Sequence, residues 1–215
     1  GFIIELKDRR VIHSKSIILA LGTEKRKLNI PGEDEFLGKG VSYCATCDAN
    51  FFKGKVVGVI GGSNSAAKSA LILSRIAKKV YIIYRRGELR CDKVEKEKIK
   101  KAGNIEVIYN SVPLKIKGED RVEGIEIASE KEKREIKLDG VFVEIGSIPI
   151  TDIAKRLGVK TNKEGYIIVD EDMATNVRGV YAAGDVVESK LKQVIVAAGQ
   201  GAIAAHSVKD YLSQK

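Results

Sequence analysis

Short apolar runs alternate with amphipathic stretches through the middle of this chain. Residues 56–60 are apolar and predict a buried strand, and a glycine-rich turn follows them. Residues 64–77 then repeat alanine and leucine at the spacing of one helical face, and residues 80–84 predict the next strand. Strand, helix and strand together span about thirty residues, the size of a βαβ unit. The pattern therefore predicts an α/β fold with parallel strands.

The pattern changes after this unit. A highly charged helix is predicted at residues 92–101 and a further strand at residues 105–109. Three short stretches with strand-forming residues follow, separated by charged turns: residues 114–117, 122–128 and 134–138. Their spacing predicts a β-meander.

The two ends of the chain differ in character from the middle. Strands are predicted at residues 2–6 and 16–21 near the start, and at residues 141–143 and 179–183 towards the end. A final helix, rich in alanine and glycine, is predicted to begin near Gln193.

This order of elements predicts two domains. Residues 29–138 would form a contiguous inner domain, and residues 1–28 and 139–215 would be two segments of a second domain. A chain of 215 residues is long enough for two small domains.

Composition narrows the class of protein. Hydrophobic residues make up 44% of the chain and charged residues 31%, which is ordinary for a globular α/β protein. No apolar run is as long as a membrane span, and the first residues lack the layout of a signal peptide. We therefore expect a cytoplasmic protein with no membrane partner.

The net charge of +9 favours acidic partners, such as nucleic acid, a phosphorylated cofactor or an acidic protein. A solvated surface rich in lysine and glutamate explains the same excess of charge. Residues 93–98 mix the two signs, and no basic strip carries aromatic residues. We therefore expect no binding to nucleic acid.

A glycine-rich turn joins the first strand of the βαβ unit to its helix. Glycines let the backbone turn tightly and approach a pyrophosphate, while the free N–H groups of the helix N-terminus point at its charge. A serine stands at the middle glycine of the common dinucleotide fingerprint, so the turn by itself is a weak signal. The residues predicted to bind the cofactor here are Gly61, Gly62, Ser63, Asn64, Ser65 and Ala66.

Three arginines follow the second strand of the unit, at Arg85, Arg86 and Arg90. NAD sites usually place an acidic residue at this point to hold the ribose 2′-hydroxyl. Guanidinium groups instead bind a phosphate dianion through charge-assisted hydrogen bonds. We therefore assign these arginines to the 2′-phosphate of NADPH. The alternative is a basic surface loop without a ligand.

Two of the three cysteines, Cys44 and Cys47, form a C-x-x-C motif just before the nucleotide-binding strand. This spacing allows a redox-active disulfide. Zinc is the main alternative, but a structural zinc site needs four ligands, and only Cys91 and two distant histidines remain. Asp48 is a candidate proton donor when the disulfide opens, and a helix or turn cap is its alternative role. Cys91 is expected to be an ordinary thiol.

Four motifs occur in a fixed order: Cys-Ala-Thr-Cys-Asp at 44–48, Phe-Phe-Lys-Gly-Lys at 51–55, Gly-Gly-Ser-Asn-Ser-Ala at 61–66 and Tyr-Arg-Arg at 84–86. In this order they resemble the thioredoxin reductases of the small FAD-containing type, which are pyridine nucleotide-disulfide oxidoreductases. The likeness continues through residues 139–143 and 179–186 to residues 192–193. It implies an NADPH-binding Rossmann-like domain with a β-meander, in a three-layer ββα sandwich. Beside it would lie the C-terminal part of a second, FAD-binding domain of the same type.

The resemblance also implies a flavin site in the second domain. The residues that would contact FAD are Gly22, Gly184, Asp185, Lys192, Gln193 and Val194. NADPH would reduce FAD, FAD would reduce the Cys44–Cys47 disulfide, and the dithiol would reduce thioredoxin by exchange. By the same resemblance Cys47 is nearer to the flavin, Cys44 attacks the substrate, and the protein is a homodimer.

The sequence departs from the family pattern at several positions. Ala49 and Ser63 replace glycines, Lys192 replaces an arginine, and Ile150 stands where asparagine is common. None of these changes removes a reacting group. The family opens with a further glycine-rich turn for the ADP half of FAD, and this chain has only one such turn. We therefore expect a fragment whose flavin site is incomplete.

Two alternative functions stay open. The flavoprotein subunit of an alkyl hydroperoxide reductase shares this core and adds an N-terminal thioredoxin-like extension. An NADPH-binding module that has lost flavin turnover belongs to a different class of protein. A flavin absorbance spectrum would favour either enzyme over the module.

Overall fold

The structure is a computed structural model that describes residues 1–130 and 132–213. The chain divides into two compact units, which we name by their place in the sequence. The inserted unit is Lys25–Gly146, and the flanking unit consists of Gly1–Glu24 and Ser147–Lys215. The inserted unit is longer at both ends than the predicted inner domain of residues 29–138, and a strand just beyond residue 138 lies in its central sheet.

Strands and helices alternate through the first part of the inserted unit, whereas the flanking unit combines short strands with the longest helix of the described residues. The strands are β1 (Phe2–Glu5), β2 (Val11–Ser14), β3 (Ile17–Leu19), β4 (Thr23–Lys25), β5 (Val41–Ser42), β6 (Val56–Ile60), β7 (Lys79–Ile83), β8 (Ile105–Ile108), β9 (Val112–Gly118), β10 (Val122–Ala128), β11 (Lys133–Lys137), β12 (Gly140–Val143), β13 (Ser147–Pro149) and β14 (Val180–Ala182). The helices are α1 (Ala45–Asp48), α2 (Asn64–Ser74), α3 (Lys93–Lys101), α4 (Asp152–Arg156) and α5 (Val194–Ser213).

A five-stranded sheet in the order β5-β12-β6-β7-β8 forms the centre of the inserted unit. All of its strand pairs are parallel. Helix α2 connects β6 to β7, and α3 leads from β7 to β8. The predicted βαβ unit is therefore confirmed, and the following helix and strand extend it by one more crossover.

The two faces of this sheet are covered by different layers. On β12, Phe142 points to the cluster that includes Ala66 and Ala70 of α2. Its neighbours Val141 and Val143 belong to the cluster on the other face, because side chains alternate along a strand. The antiparallel meander β11-β10-β9 covers that second face. The predicted three-layer ββα sandwich is confirmed for this unit.

The flanking unit contains only small sheets within the part of the chain that the structure describes. β1 pairs with β2 in antiparallel orientation, β3 pairs with β14 in parallel orientation, and β4 and β13 form a further pair. The sequence pattern did not predict β2, whose residues Val11 and Ile12 are exposed. No residue of β2 is buried, so its apolar and polar positions need not alternate.

Candidate active site

Four chain segments with candidate functional residues leave the central sheet at the same edge. Cys44 follows β5, Glu144 follows β12, Gly61 follows β6 and Arg85 follows β7. Because all these strands are parallel, their carboxyl ends lie at one edge. From β6 the chain continues to its neighbour β7 and then to β8 on one side of the sheet. The later strand β12 lies on the opposite side of β6. Ligands of open α/β sheets bind at such a change of strand order.

The cysteine pair lies at the start of α1. Cys44 is the N-cap residue with an extended backbone, and its Sγ accepts a hydrogen bond from the Cys47 backbone N–H at 3.2 Å. The two sulfurs form a disulfide, and the Cα atoms are 5.3 Å apart. Cys44 is half-buried and Cys47 is exposed. The sequence predicted this pairing, and the single turn of helix brings the two sulfurs together.

A buried serine connects Cys44 to Asp48. The Ser42 hydroxyl accepts a hydrogen bond from the Cys44 backbone N–H at 3.0 Å and donates one to Asp48 Oδ2 at 2.7 Å. Ser42 is 5% exposed, while Asp48 is half-buried. The Asp48 carboxylate is therefore held on the dithiol turn by a side chain. Sequence reasoning missed Ser42, because a lone serine before the motif carries no recognisable signal.

A buried carboxylate also holds the residue before Cys44. Glu33 is 2% exposed and accepts hydrogen bonds from the Leu28 and Asn29 backbone N–H groups and from the Tyr43 hydroxyl, each at 2.8 Å. Burial, together with this hydrogen bond, raises the pKa of Tyr43 above its ordinary value of 10.0. The chain segment that leads into the dithiol turn is thus fixed on the inserted unit. This network was not predicted from the sequence.

The glycine turn at the end of β6 has no room for side chains. Gly61 has a φ of +142°, which L side chains rarely adopt, and a Cβ on Gly62 would lie 2.5 Å from the ring of Tyr84. Helix α2 begins at Asn64, directly after these residues. Ser63 is its exposed N-cap residue and makes no side-chain capping hydrogen bond. The turn therefore presents free helix N–H groups at a backbone surface, as an anion site requires.

The three predicted arginines lie in one segment, residues 85–92, which we call the arginine loop. Arg85, Arg86 and Arg90 are exposed, whereas Leu89 is 4% exposed and anchors the loop in the helix-side core. The Arg90 backbone N–H donates to the Gly62 carbonyl oxygen at 2.7 Å. The structure therefore brings the arginine loop next to the glycine turn.

Asn64, predicted to contact the cofactor, bonds within the protein. Its Oδ1 accepts from the Asp92 backbone N–H at 2.8 Å, and its Nδ2 donates to Asp92 Oδ2 at 3.2 Å. Ser65 is exposed in the first turn of α2, and Ala66 is fully buried under the glycine turn. Asp92 was not identified from the sequence, where it is one of many charged residues at the start of α3.

Glu144 is a further residue at this edge that sequence reasoning missed. Its Oε1 accepts a hydrogen bond from the Ser69 hydroxyl of α2 at 2.5 Å. Burial raises the pKa of Glu144, and the Ser69 hydrogen bond and the charge of Lys25 oppose this shift. The only sequence signal was its position directly after a predicted strand. The Glu144 backbone thus lies beside the glycine turn, and its carboxyl group is held on α2 by Ser69.

The sequence also matches a known family over most of its length. Residues 3–201 match the pyridine nucleotide-disulphide oxidoreductases. This chain belongs to that family.

Members of the family with known names are similar to nearly all of this chain. A thioredoxin reductase from Treponema pallidum is 44% identical over 92% of this chain and 64% of its own length. An alkyl hydroperoxide reductase subunit from Staphylococcus aureus is 40% identical over 97% of this chain and 41% of its own length. Both matches thus span less than two thirds of the relative. The solved thioredoxin reductase from Streptococcus pyogenes has a TM-score of 0.89 and 36% identity, covering 98% of this chain and 69% of that one.

The other predicted cofactor residues of this oxidoreductase lie in the flanking unit: Gly22, Gly184, Asp185, Lys192, Gln193 and Val194. Gly22 and Gly184 both have positive φ values, +68° and +81°, so each forms a sharp turn after a strand. The Gly184 backbone N–H donates to Gln200 Oε1 of α5 at 2.9 Å. The turn after β14 is therefore fixed to the final helix of the same unit.

Lys192 fixes the segment between β14 and α5. Its Nζ donates to the carbonyl oxygens of Asp185 and Val187 at 2.8 and 3.0 Å, and lies 4.0 Å from the ring centre of Tyr166. Val194, at the start of α5, is 85% exposed. An ammonium group, a glycine turn and an apolar surface thus occur together in the flanking unit.

Residues 1–130 and 132–213 contain neither a candidate metal centre nor a membrane-spanning helix. Within those ranges no group of His, Cys, Asp or Glu is placed to hold a metal ion. Across the same residues, no helix combines the length and apolarity needed to span a bilayer. Cys91 carries a free, half-buried thiol, and burial raises its pKa.

Proposed function

We propose that this oxidoreductase uses NADPH to reduce the disulfide of thioredoxin, through FAD and the Cys44–Cys47 pair. One observation carries the proposal: the dithiol turn, the glycine turn and the arginine loop lie at the same edge of one parallel sheet. Neighbouring strands are about 4.8 Å apart, so β5 and β6, which have β12 between them, are about 10 Å apart. The family and the similarity to named thioredoxin reductases support the same reaction.

NADPH would be held by the glycine turn and the arginine loop. Tyr84 covers Gly62 so closely that no side chain fits there, and both glycines of the turn are buried. A pyrophosphate would therefore be bound by the N–H groups at the start of α2. Ser63 and Ser65 are exposed hydroxyl donors at the first turn of α2. The exposed guanidinium groups of Arg85, Arg86 and Arg90 would bind the 2′-phosphate. The residues present therefore fit the phosphorylated dinucleotide.

The residues of the flanking unit fit part of a flavin site. Gly184 and Asp185 would lie along the ribityl chain, Lys192 and Gln193 beside the ring system, and Gly22 at the same cofactor. The exposed apolar start of α5 at Val194 suits an aromatic ring surface. When bound, FAD would act as the carrier between a nicotinamide, which donates hydride, and a disulfide, which accepts electrons.

Cys44 and Cys47 carry out the exchange with thioredoxin. In the reduced protein the Cys44 thiolate attacks one sulfur of the thioredoxin disulfide, and the other thioredoxin sulfur leaves as a thiolate. Cys47 then attacks Cys44 Sγ, which restores the Cys44–Cys47 disulfide and releases reduced thioredoxin. Two electrons and two protons move from the dithiol to thioredoxin. We assign Asp48, held by Ser42, as the group that exchanges a proton with this pair.

The test is reduction of the disulfide dye DTNB by NADPH, using this chain supplied with FAD, with and without thioredoxin. We expect a rate that needs NADPH and rises with thioredoxin. Cys44→Ser should lower the rate by about 100-fold or more, because it removes the attacking sulfur. Cys91→Ser is the matched control and should leave the rate unchanged. Dye reduction that survives Cys44→Ser would contradict the proposed electron path.

A second candidate is the flavoprotein subunit of an alkyl hydroperoxide reductase. It is supported by the similarity to the Staphylococcus aureus alkyl hydroperoxide reductase protein over 97% of this chain. The same assay separates the two candidates. NADPH-dependent dye reduction that thioredoxin does not increase would favour the peroxide-linked enzyme.

A cytoplasmic location and a homodimer belong to the same proposal. A dithiol that cycles between reduced and oxidised forms is typical of a reducing compartment, and the third cysteine remains a free thiol. The homodimer rests on the resemblance to the small thioredoxin reductases. Sedimentation of the chain with FAD tests the dimer.

A further inference from the structure

The arginine loop begins directly after β7, and its other end is hydrogen-bonded to the glycine turn. The Arg90 backbone N–H donates to the Gly62 carbonyl oxygen at 2.7 Å. Two residues later, Asp92 and Asn64 form a reciprocal pair of hydrogen bonds. Both ends of the loop therefore start from the same edge of the sheet as the turn.

The reciprocal pair has a defined donor and acceptor direction. Asn64 Oδ1 must accept, because its partner is a backbone N–H, and Asn64 Nδ2 donates to the Asp92 carboxylate. Asp92 is also the N-cap residue of α3, yet its side chain makes no capping hydrogen bond to that helix. The carboxylate thus bonds across to α2 and does not cap its own helix.

Other contacts hold the loop less directly. Leu89 is buried in the core, and the Arg86 carbonyl oxygen accepts from the Asn110 backbone N–H at 3.2 Å. The Glu88–Lys96 ion pair is exposed on its acidic side, where such pairs contribute little. The Asn64–Asp92 pair is the side-chain link between the arginine loop and the first residue of α2.

We propose that Asn64 and Asp92 are positioning residues for nucleotide specificity. Their pair holds the three arginines at the distance from the glycine turn that one NADPH molecule spans between its 2′-phosphate and its pyrophosphate. This inference rests on the proposed NADPH site. Bidentate guanidinium–phosphate contacts require fixed geometry, so a loop released from α2 loses part of that binding.

The consequence differs between two ligands that differ only in the 2′-phosphate. NADP⁺ uses both the turn and the arginines, whereas NAD⁺ uses the turn. Loss of the pair should therefore lower the preference for NADP⁺ over NAD⁺, expressed as the ratio of their dissociation constants. A negative charge placed at residue 64 repels the pyrophosphate of both ligands. Its direct effect on the two dissociation constants is therefore similar and largely cancels in their ratio.

The experiment is calorimetric titration of the 215-residue chain with NADP⁺ and NAD⁺. Asn64→Asp places a carboxylate opposite Asp92 and should lower the NADP⁺ preference about 3–10-fold, the range for one exposed hydrogen bond and a like-charge contact. Asp92→Asn can turn its amide oxygen to Asn64 Nδ2 and should change the preference less than about 2-fold. The double variant, Asn64→Asp with Asp92→Asn, restores the pair with its direction reversed and should return to within about 2-fold of the parent.

Three outcomes would overturn the inference. The double variant could remain as impaired as Asn64→Asp, which would make Asn64 a direct ligand. Asn64→Asp could leave the preference unchanged. Glu88→Gln, the control that breaks the exposed ion pair of the same loop, could lower the preference equally. A parent chain with no NADP⁺ preference would instead refute the proposed NADPH site. An acidic residue in the first turn of α2 is compatible with folding, so binding is the property being tested.

Discussion

The inserted and flanking units differ in how far their helices bury apolar side chains. In the inserted unit the central sheet is covered on both faces, and Val57, Val80 and Phe142 are fully buried. In the flanking unit, Ala204 is the one fully buried residue within helix α5, Val194–Ser213, while Val194 and Ile195 are 85% and 75% exposed. The dithiol and nucleotide turns lie on the unit whose central sheet is covered on both faces. We expect their geometry to be maintained by the inserted unit alone.

The largest expected effect is on the core of the inserted unit. Phe142→Ala removes a ring that packs edge-on against Phe52 at 5.0 Å, and should lower the free energy of unfolding by about 3–5 kcal/mol. Val194→Ala, in the flanking unit, should change it by less than about 0.5 kcal/mol. Hydrogen exchange of peptides from each unit measures both. Equal effects of the two variants would remove the contrast between the units.

A smaller effect is expected at the glycine turn. Gly62→Ala places a methyl group 2.5 Å from the Tyr84 ring, so the ring or the turn must shift. We expect a loss of about 1–3 kcal/mol in unfolding free energy and weaker binding of both NADP⁺ and NAD⁺. Gly103→Ala, whose added methyl would meet no atom within 4 Å, is the control for glycine replacement. Unchanged nucleotide binding in Gly62→Ala would argue against a cofactor on this turn.

Replacement of an exposed arginine tests the role of the arginine loop without disturbing the core. Arg86→Gln should weaken NADP⁺ binding about 10-fold through loss of a charge-assisted contact, with NAD⁺ binding unchanged. Arg134→Gln, an exposed arginine on β11, makes the same change of charge on the meander. Equal losses in both variants, measured by titration, would indicate general charge attraction and not a 2′-phosphate site.

The smallest effect is the pH dependence contributed by Glu144. Its pKa is raised in the folded state, so its stabilising contribution is complete below the ordinary value of 4.5 and is lost as pH rises through the folded value. Glu144→Gln keeps the acceptor for Ser69 but cannot ionise. The variant should therefore gain stability relative to the parent as pH increases from about 4 to 8. Urea unfolding at several pH values measures this difference, and a constant difference would contradict the assigned shift.

The sequence pattern predicted the inserted unit well because the apolar positions in each of its elements match the positions that are buried. The apolar runs at β6 and β7 and the alternation in β10 reflect contacts on defined faces of a sheet. The strand β2 was not predicted, because its exposed residues carry no such pattern. The place of β12 in the central sheet was not predicted either, since a strand's sheet partner cannot be derived from its own residues.

The candidate site was predicted where chemistry follows from residue type and spacing, as in the cysteine pair and the arginines. It was not predicted where function depends on long-range contacts. Glu144 and Asp92 are common polar residues whose partners lie 75 and 28 positions away in the sequence. Ser42 bonds to Asp48 only six positions away, but a single serine carries no signal of its own. Only the fold brings them to the same edge.

The central position of β12 affects how the chain folds as it is synthesised. β12 pairs with β5 on one side and β6 on the other, and the Asp139 side chain accepts from the Val56 backbone N–H across 83 residues. β5 therefore joins the sheet only after residues 140–143 are available. At ordinary synthesis rates this delay after Cys44 is on the order of ten seconds. During that interval Cys44 and Cys47 follow a strand that has no partner yet, so the reducing state of the surrounding compartment determines whether the thiols remain unmodified until the sheet forms.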